Sequence, residues 1–520
     1  MSARVAATVD NPARRILGRL GSVGSPPAGV RRGPFIASRA GRWCALIALA
    51  KLALTLPILT RYGWHGDELY FLAAGRHLAA GYVDFPPLVA VASKLVEAAV
   101  GPSLFGLRLA FSLLGVAAAV AAGAIARELG AGERLQVLAT VAWLATPFAL
   151  GGATTPFNPA SLELAFTAFA LLAATRLLTR VDARQWLLLG LWGGLGMESK
   201  FTMVVPLAAL MAGCLLWRRE LVRCREAAVG ALVAIVFLVP NVIWEIDHGF
   251  VSADFASAQQ ATTAADSAPP VYAAQQFLFL GVGFVFVVLG LVWLWRRPSL
   301  RPLALASVAP TVFFGLEQGR SYYALPAMMP ALVAGCLALA ERRPRRSTLG
   351  ALAAVHVAVL ALALPLVLPL LPIRQLVSSG TWNRSFWKDE IGWRELALQT
   401  SRAWISRTPD ERSAGAIVAV NYGVAGALAL HGPALGLPPP RSGHLSFQYW
   451  HPEQMSERSV LLVGFEQDSA RALCVRETEL AVVENRWHVH NATSGMPIVW
   501  CRLRAPLGQM WKRSFATAHL

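Results

Sequence analysis

The feature that most constrains this chain is a series of apolar runs, each of roughly twenty residues, within its first 372 residues. A helix of about twenty apolar residues crosses the roughly 30 Å hydrocarbon core of a bilayer. The candidate spans are 43–60, 106–126, 135–152, 158–178, 185–197, 201–217, 226–246, 275–295, 302–317, 321–340 and 348–372. Only 15% of the residues are charged, against about 25% in an average soluble domain. The sequence predicts a polytopic α-helical membrane protein with about eleven transmembrane helices, and it excludes an ordinary soluble enzyme.

The positive charges indicate the orientation of the chain. We interpret 86–100 as an amphipathic helix at the interface, because it is short and contains Lys94 and Glu97. With that stretch left out of the spans, the loops on one side hold 16 Lys and Arg and those on the other side hold 5. The richer side is cytoplasmic by the positive-inside rule, so the N-terminus is predicted inside and the C-terminus outside. The net charge of +17 then mainly reflects arginines in the cytoplasmic tail and loops, which set the orientation of the chain. No nucleic-acid partner is expected.

Composition divides the chain into three parts. Residues 1–42 are rich in arginine without apolar periodicity, which predicts a disordered basic cytoplasmic tail. Residues 43–372 form the transmembrane domain, whose first outer loop, 61–105, carries interfacial helices. Residues 373–520 are predicted to form a soluble extracytoplasmic α/β domain. Its short apolar runs have the length of buried strands: 415–420, 460–465 and 479–484.

Cys474 and Cys501 both lie in this C-terminal domain. A disulfide between them is chemically permitted outside the cytoplasm. Two unpaired buried thiols fit the sequence equally well.

Unusual polar residues occur in the loops on the predicted outer face. Asp67 and Glu68 follow the first span, at the start of a short helix that carries Arg76 and His77. A carboxylate just outside a span can act as a general base toward a hydroxyl. The two acids could equally serve only to stabilise the first turn of the helix. The other outer candidates are Asn158, Glu163, Lys200, Arg320, Tyr322 and Tyr323.

Each of these candidates has a structural alternative. Glu163 is either a functional intramembrane acid or a satisfied buried one. Lys200 either binds a phosphate or pairs with Glu198. Arg320 and the two tyrosines suit a phosphate, but they also suit an ordinary interfacial belt.

Taken together, acids, cations and phenols beside the bilayer edge suit a substrate with a lipid tail and a phosphate head. No nucleotide-binding or hydrolase motif occurs, and the cytoplasmic loops are too short for a nucleotide domain. Asp67, Glu68 and Glu163 could bind Mg²⁺ or Mn²⁺ through oxygen ligands, although no spacing demands a metal. No other cofactor is expected.

The first loop, GDELYFLAAGRHLAAGYVDFPPL, resembles that of bacterial glycosyltransferase family 39-like membrane proteins, relatives of protein O-mannosyltransferases and the aminoarabinose transferase. The resemblance continues through RLAFSLLGVAAAVAAGAIARELG, the loop at 158, GLGMESKF, PNVIWEIDHGF, GRSYYALPAMMPALVAG and NYGVAGALALHGPALGLPPPRSGH. It implies a GT-C fold and inverting transfer of a sugar from a polyprenyl-phosphate donor.

The resemblance also implies roles for particular residues. Asp67 matches the catalytic acid, and Glu68 completes the family's DE pair. Lys200 and Arg320, with Tyr322 or Tyr323, look like ligands of the lipid phosphate. We include Arg76, His77, Asn158 and Glu163 among the expected substrate-binding residues. Asn158 departs from the family pattern, in which many relatives have an Asp near that position.

The sequence thus predicts a glycosyltransferase of the bacterial cytoplasmic membrane. Its partners would be the polyprenyl-phosphate sugar, membrane lipid, and an outer glycan, lipid or protein acceptor. Two other classes remain open: a transporter or flippase of lipid-linked sugars, and a non-catalytic protein that binds them. Transporters tend to bury ionisable groups at the midplane and to show internal repeats, neither of which is evident here.

Overall fold

The computed structural model describes residues 33–151, 158–263, 267–378, 386–452 and 454–516. Most of the predicted basic tail, residues 1–32, lies outside the described residues. The first helix begins at Arg39, before the predicted start of the transmembrane domain at residue 43. Ser38 caps this helix by accepting a hydrogen bond from the Gly41 N–H at 3.0 Å.

Helices are the regular secondary structure of the described part of the membrane region. They are α1 (Arg39–Thr55), α2 (Gly66–Arg76), α3 (Leu88–Val100), α4 (Leu104–Glu128), α5 (Glu133–Leu144), α6 (Pro147–Gly151), α7 (Pro159–Arg180), α8 (Gln185–Met197), α9 (Val204–Trp217), α10 (Arg219–Val222), α11 (Arg225–Asp247), α12 (Val251–Thr263), α13 (Pro269–Leu280), α14 (Gly283–Trp295), α15 (Arg301–Leu316), α16 (Met329–Arg342) and α17 (Arg346–Val367). Short 3-10 segments include Phe201–Met203 and Ser321–Met328. Each of the eleven apolar runs contains helix, as predicted.

The number of full-length spans is smaller than the number of runs. Within the described residues, seven helical segments are long and apolar enough to cross a membrane: Arg39–Ile58, Leu104–Glu128, Pro159–Arg180, Arg225–Asp247, Pro298–Leu316, Ser321–Arg342 and Arg346–Val367. The pair α13 and α14, bent by 100°, brings the number to eight if it is one broken span. The remaining runs form shorter helices, since α8 at 13 residues is only about 20 Å long. The run 135–152 is divided into α5 and α6, where Pro147 begins the second helix.

The stretch 86–100 forms α3, a helix of 13 residues that packs against α2 and α4. Its length is too short for a span, which agrees with the interfacial helix predicted from the sequence. In the membrane region, Ser321–Arg342 is 83% buried and therefore central, whereas Arg346–Val367 is 6% buried and peripheral. The predicted architecture of a helical membrane domain is confirmed.

The C-terminal domain has an α/β structure, as predicted. Its helices are α18 (Ile373–Ser378), α19 (Trp393–Ile405), α20 (Pro409–Ser413), α21 (Tyr422–His431), α22 (Gln467–Leu473) and α23 (Leu507–Met510), and its strands are β1 (Gly415–Ala419), β2 (Ser459–Val463), β3 (Cys474–Val482) and β4 (Pro497–Leu503). The sheet order is β1-β2-β4-β3, with β1 and β2 parallel and the other pairs antiparallel.

The runs 415–420 and 460–465 form β1 and β2, and 479–484 overlaps the end of β3. We did not predict β4, in which an arginine interrupts the apolar run. Cys474 and Cys501 form a disulfide, which links β3 to β4.

The C-terminal domain packs on the first outer loop. One continuous apolar core contains Leu69 and Tyr70 of α2 together with Val424, Ala425 and Leu428 of α21. The two helices approach closely at Gly426, where an added Cβ would lie 2.9 Å from the Leu69 carbonyl carbon. The loop and the domain, which the charge pattern predicts on one side of the membrane, are therefore in direct contact.

This contact predicts that Gly426→Ala destabilises the protein. Because the obstructing atoms are backbone, α21 must move away from α2, and we expect a cost of about 1–3 kcal/mol and a lower Tm in detergent. Gly350→Ala is the control, since nothing lies within 4 Å of the corresponding Cβ position. An unchanged Tm for Gly426→Ala would contradict the close packing of the two helices.

Candidate active site

The site begins with the first turn of α2. His65 caps the helix: its Nδ1 accepts a hydrogen bond from the Asp67 N–H at 3.2 Å. Its own N–H donates to Glu68 Oε2 at 2.9 Å, which completes a capping box. Both acids therefore lie in the first turn, where the helix dipole favours negative charge.

Glu68 points into the protein and binds Arg108 of α4. Arg108 Nε donates to Glu68 Oε1 at 2.7 Å, and Nη2 donates to Oε2 at 2.6 Å. The same Nη2 donates to Glu390 Oε1 of the C-terminal domain at 3.1 Å. The three side chains have no exposed surface. Glu68 is thus placed to hold the structure together and presents no carboxylate oxygen to solvent.

Asp67 faces the opposite way. Its side chain is 38% exposed, and its Oδ1 accepts a hydrogen bond at 2.8 Å from the hydroxyl of Tyr422, at the start of α21. A residue of the C-terminal domain therefore contacts the acid that the sequence marks as the catalytic candidate. The position of Asp67, exposed beside the membrane helices, fits a group that meets a substrate.

A second acid, Asp84, lies close to Asp67. Tyr70 of α2 donates a hydrogen bond to Asp84 Oδ1 at 2.8 Å, and Tyr70 accepts one from the Ser446 N–H at 3.1 Å. Burial raises the pKa of Asp84 to about 7, and the charge of Asp67 adds to the rise while the Tyr70 hydrogen bond opposes it. The two acids differ in environment, because the Asp67 side chain is 38% exposed whereas burial dominates at Asp84.

Lys200 lies beside the predicted tyrosines. Its Nζ is 3.7 Å from the ring centroid of Tyr323 and 4.7 Å from that of Tyr322. Glu163 of α7, which is buried, interacts electrostatically with Lys200 and accepts a hydrogen bond from Thr202 at 2.5 Å. Among the described residues Lys200 forms no ion pair with Glu198. The structure thus brings together Lys200, Glu163 and both tyrosines.

Arg320 connects this group to the acid. It precedes the 3-10 segment Ser321–Met328 and is exposed. It interacts electrostatically with Tyr322, Tyr323 and also with Asp67. An anionic phosphate bound by Arg320 would accordingly lie near the Asp67 carboxylate.

The other predicted residues lie elsewhere. Arg76 and His77 are at the far end of α2, about 15 Å along the helix from Asp67. Arg76 Nη2 pairs with Glu97 Oε1 at 2.8 Å, and the His77 ring stacks on Trp450 with centroids 4.8 Å apart. Asn158 caps α7 by accepting a hydrogen bond from the Ala160 N–H at 2.9 Å. The structure gives these three residues packing or capping contacts, and it does not place Arg76 or His77 beside Asp67.

The residues predicted for a divalent cation do not converge. Glu68 is held by Arg108, and Glu163 is held by Thr202, so Asp67 alone of the three presents an exposed carboxylate. In the described part of the chain, no group of three or more His, Cys, Asp or Glu side chains could hold a metal ion. This donor set does not fit Mg²⁺ or Mn²⁺, which take several converging oxygen ligands.

Sequence reasoning missed three residues of the site: Arg108, Glu390 and Tyr422. The sequence could have indicated Arg108, because a lone arginine one turn into an apolar run needs a buried partner. It could not have indicated Glu390 or Tyr422, since their partners are 282 and 355 residues away in the chain.

Comparisons with known proteins find similarity in part of the sequence and in the fold. Residues 84–244 match the family model described as dolichyl-phosphate-mannose-protein mannosyltransferase. The chain is similar to ArnT from Cupriavidus metallidurans in the apo state, at 15% identity and a TM-score of 0.55, covering 90% of this chain and 99% of ArnT. The structure of the same ArnT bound to undecaprenyl phosphate matches with a TM-score of 0.57, at the same identity and coverage. No curated protein matches the sequence.

The fold is that of a polytopic membrane protein with the GT-C architecture. At 15% identity the structural match establishes the fold alone, and that fold is the one ArnT has. The family match over 84–244 begins near the end of the loop that follows α2 and extends into α11. The predicted fold class and the predicted family resemblance are both confirmed.

The buried ion cluster predicts a pH dependence of stability. Burial raises the pKa of Glu390 from 4.5 to about 7; Arg108 opposes this rise, and the charge of Glu68 adds to it. The folded protein then binds this proton more tightly than the unfolded chain does. The stability that Glu390 contributes is complete below its unfolded pKa of 4.5 and is lost as the pH rises through about 7.

We therefore expect the Tm of the wild type to fall between about pH 5 and pH 8 and that of Glu390→Gln to fall less, because glutamine stays neutral. Thermal unfolding across this pH range measures the effect. Glu479→Gln, an exposed position on β3, is the matched control. If Glu390→Gln followed the wild-type curve, the titration of Glu390 would not be the cause.

Proposed function

We propose that the protein is an inverting glycosyltransferase that moves a sugar from a polyprenyl-phosphate donor to a hydroxyl group of an extracytoplasmic acceptor. The observation that carries the proposal is the exposed Asp67 carboxylate within electrostatic range of Arg320, at the end of the membrane helices. An acid that can take a proton and a cation that can hold a phosphate thus lie within electrostatic range of each other. The ArnT fold supports the proposal, since one ArnT structure is bound to undecaprenyl phosphate.

Lys200 and Arg320 would hold the donor phosphate, with the tyrosine hydroxyls of Tyr322 or Tyr323 as neutral donors. Arginine offers a planar pair of N–H groups to phosphate oxygens, and lysine offers a point charge. The prenyl chain would remain in the bilayer beside the helices that carry these residues. Glu163 would hold the Lys200 ammonium in place when the phosphate is absent.

The reaction would be a single displacement at the anomeric carbon. Asp67 takes the proton of the acceptor hydroxyl as its oxygen attacks. The bond from the anomeric carbon to the phosphate oxygen breaks, and its electron pair leaves with the polyprenyl phosphate. Lys200 and Arg320 stabilise this developing charge. One exposed acid is sufficient, because no covalent intermediate forms.

We place the protein in the bacterial cytoplasmic membrane, with the N-terminus inside and the C-terminal domain outside. The contact between the first loop and the C-terminal domain supports a common side for both. The acceptor would be a glycolipid, a cell-wall polysaccharide or a protein hydroxyl.

Asp67→Asn tests the proposed base. We expect at least a hundredfold loss of turnover with an unchanged Tm, because general-base catalysis contributes about 10²–10⁴-fold. The assay is release of polyprenyl phosphate from a panel of polyprenyl-phosphate sugars by the purified protein.

Asp468→Asn is the matched control, since the Asp468 side chain is 96% exposed on the C-terminal domain. Near-normal turnover of Asp67→Asn would remove Asp67 from the mechanism. Donor binding without any release by the wild type would favour a transporter or a binding protein instead.

Lys200→Gln tests the phosphate site. Loss of a charge-assisted hydrogen bond costs about 1.5–3 kcal/mol, so we expect the Kd for polyprenyl phosphate to rise at least tenfold. Binding to the purified protein in detergent measures it, with the exposed Lys94→Gln as control. Equal affinity in the two variants would exclude Lys200 as a phosphate ligand.

A further inference from the structure

Tyr422 is the residue of the C-terminal domain that reaches the proposed base. Its hydroxyl donates a hydrogen bond to Asp67 Oδ1 at 2.8 Å. The phenol lies at the N-terminus of α21, whose cap is Asn421: the Asn421 side chain accepts from the Val424 N–H at 3.0 Å. The position of Tyr422 is therefore set by the start of a helix.

Packing fixes the tyrosine ring as well. It stacks on His444 with centroids 5.4 Å apart, and it lies 5.0 Å from the ring of Tyr70. The close approach of α21 to α2 at Gly426 holds the two helices in register. Tyr422 is thus a fixed donor and not a mobile surface side chain.

The two carboxylate oxygens of Asp67 have different surroundings. Oδ1 is occupied by Tyr422. Oδ2 is 3.7 Å from His65 Nδ1, which is beyond hydrogen-bond distance, and that nitrogen accepts the Asp67 N–H. Among the described residues no side chain donates to Oδ2, so this oxygen can receive the proton of an acceptor hydroxyl.

The charges around Tyr422 and Asp67 keep the Tyr422 hydroxyl protonated, so that it can donate a hydrogen bond. The Asp67 carboxylate, burial and the charge of Asp84 hold the pKa of Tyr422 well above its ordinary value, and Arg320 opposes them. The other titratable groups that face the pair are His65, Tyr70 and His444. Tyr422 therefore keeps its proton through the pH range of an enzyme assay.

We infer that Tyr422 is a positioning residue for the proposed base: it holds Asp67 by Oδ1, so that Oδ2 takes the proton of the acceptor. The inference rests on the proposed function and adds to it that the site is completed by the C-terminal domain. In the transfer step the proton passes from the acceptor oxygen to Oδ2 while the Tyr422 hydrogen bond to Oδ1 is retained. That bond fixes the orientation of the carboxylate, so that Oδ2 stays directed at the acceptor hydroxyl.

Tyr422→Phe tests this role, since it removes the hydroxyl and keeps the ring. We expect kcat to fall about tenfold, with the KM for the donor unchanged, because orientation of the reacting group is lost. We also expect the acidic limb of the pH–rate profile to move up by about one pH unit, because the charged carboxylate loses a donor. A purely structural role would lower the amount of folded enzyme without moving the profile.

Tyr449→Phe is the matched control, because Tyr449 is exposed and its ring packs on Trp244 and His248 away from Asp67. An unmoved profile and an unchanged kcat in Tyr422→Phe would overturn the inference. Absence of sugar transfer by the wild type would instead overturn the proposed function, so the two failures are distinguishable.

If Tyr422→Phe lowers the Tm, incorporation of 3-fluorotyrosine at position 422 provides a second test. The fluorinated phenol has nearly the same shape and is a stronger donor. We expect the acidic limb to move to lower pH, and a limb that stays in place would also overturn the inference.

Discussion

Arg108 binds two buried carboxylates at once, and through them it joins three parts of the chain. Glu68 belongs to the first outer loop, Arg108 to a membrane helix and Glu390 to the C-terminal domain, and all three side chains are fully enclosed. Removing one partner of such a cluster leaves an uncompensated buried charge, which costs about 3–5 kcal/mol. The position of α2, and with it the direction in which Asp67 faces, depends on this cluster.

The adjacent acids Asp67 and Glu68 illustrate how a helix divides two roles between neighbours. Consecutive side chains in a helix point about 100° apart, so one can face the interior while the next faces outward. The Glu68 carboxylate accepts hydrogen bonds from Arg108 and from the His65 N–H. Asp67 keeps an exposed oxygen beside Arg320. On a single helical turn, Glu68 thus has a structural role and Asp67 is the proposed reactive group.

The sequence predicted the features that depend on local pattern. Apolar runs predicted the helices, and charge counts predicted a common side for the first loop and the C-terminal domain, which are in contact. Length alone did not predict which helices are full spans, because Pro147 and Gly281 interrupt two of the runs. Arg76 and Lys200 looked alike as outer cations, yet Glu97 binds the first and aromatic rings surround the second. Such partners come from distant segments and leave no local signal.

The proposed reaction is a single displacement at the anomeric carbon with Asp67 as the base. Its most direct test is the anomeric configuration of the product, determined by NMR for a donor of known configuration. A single displacement predicts inversion at that carbon. Retention of configuration would rule out a single backside displacement by the acceptor oxygen.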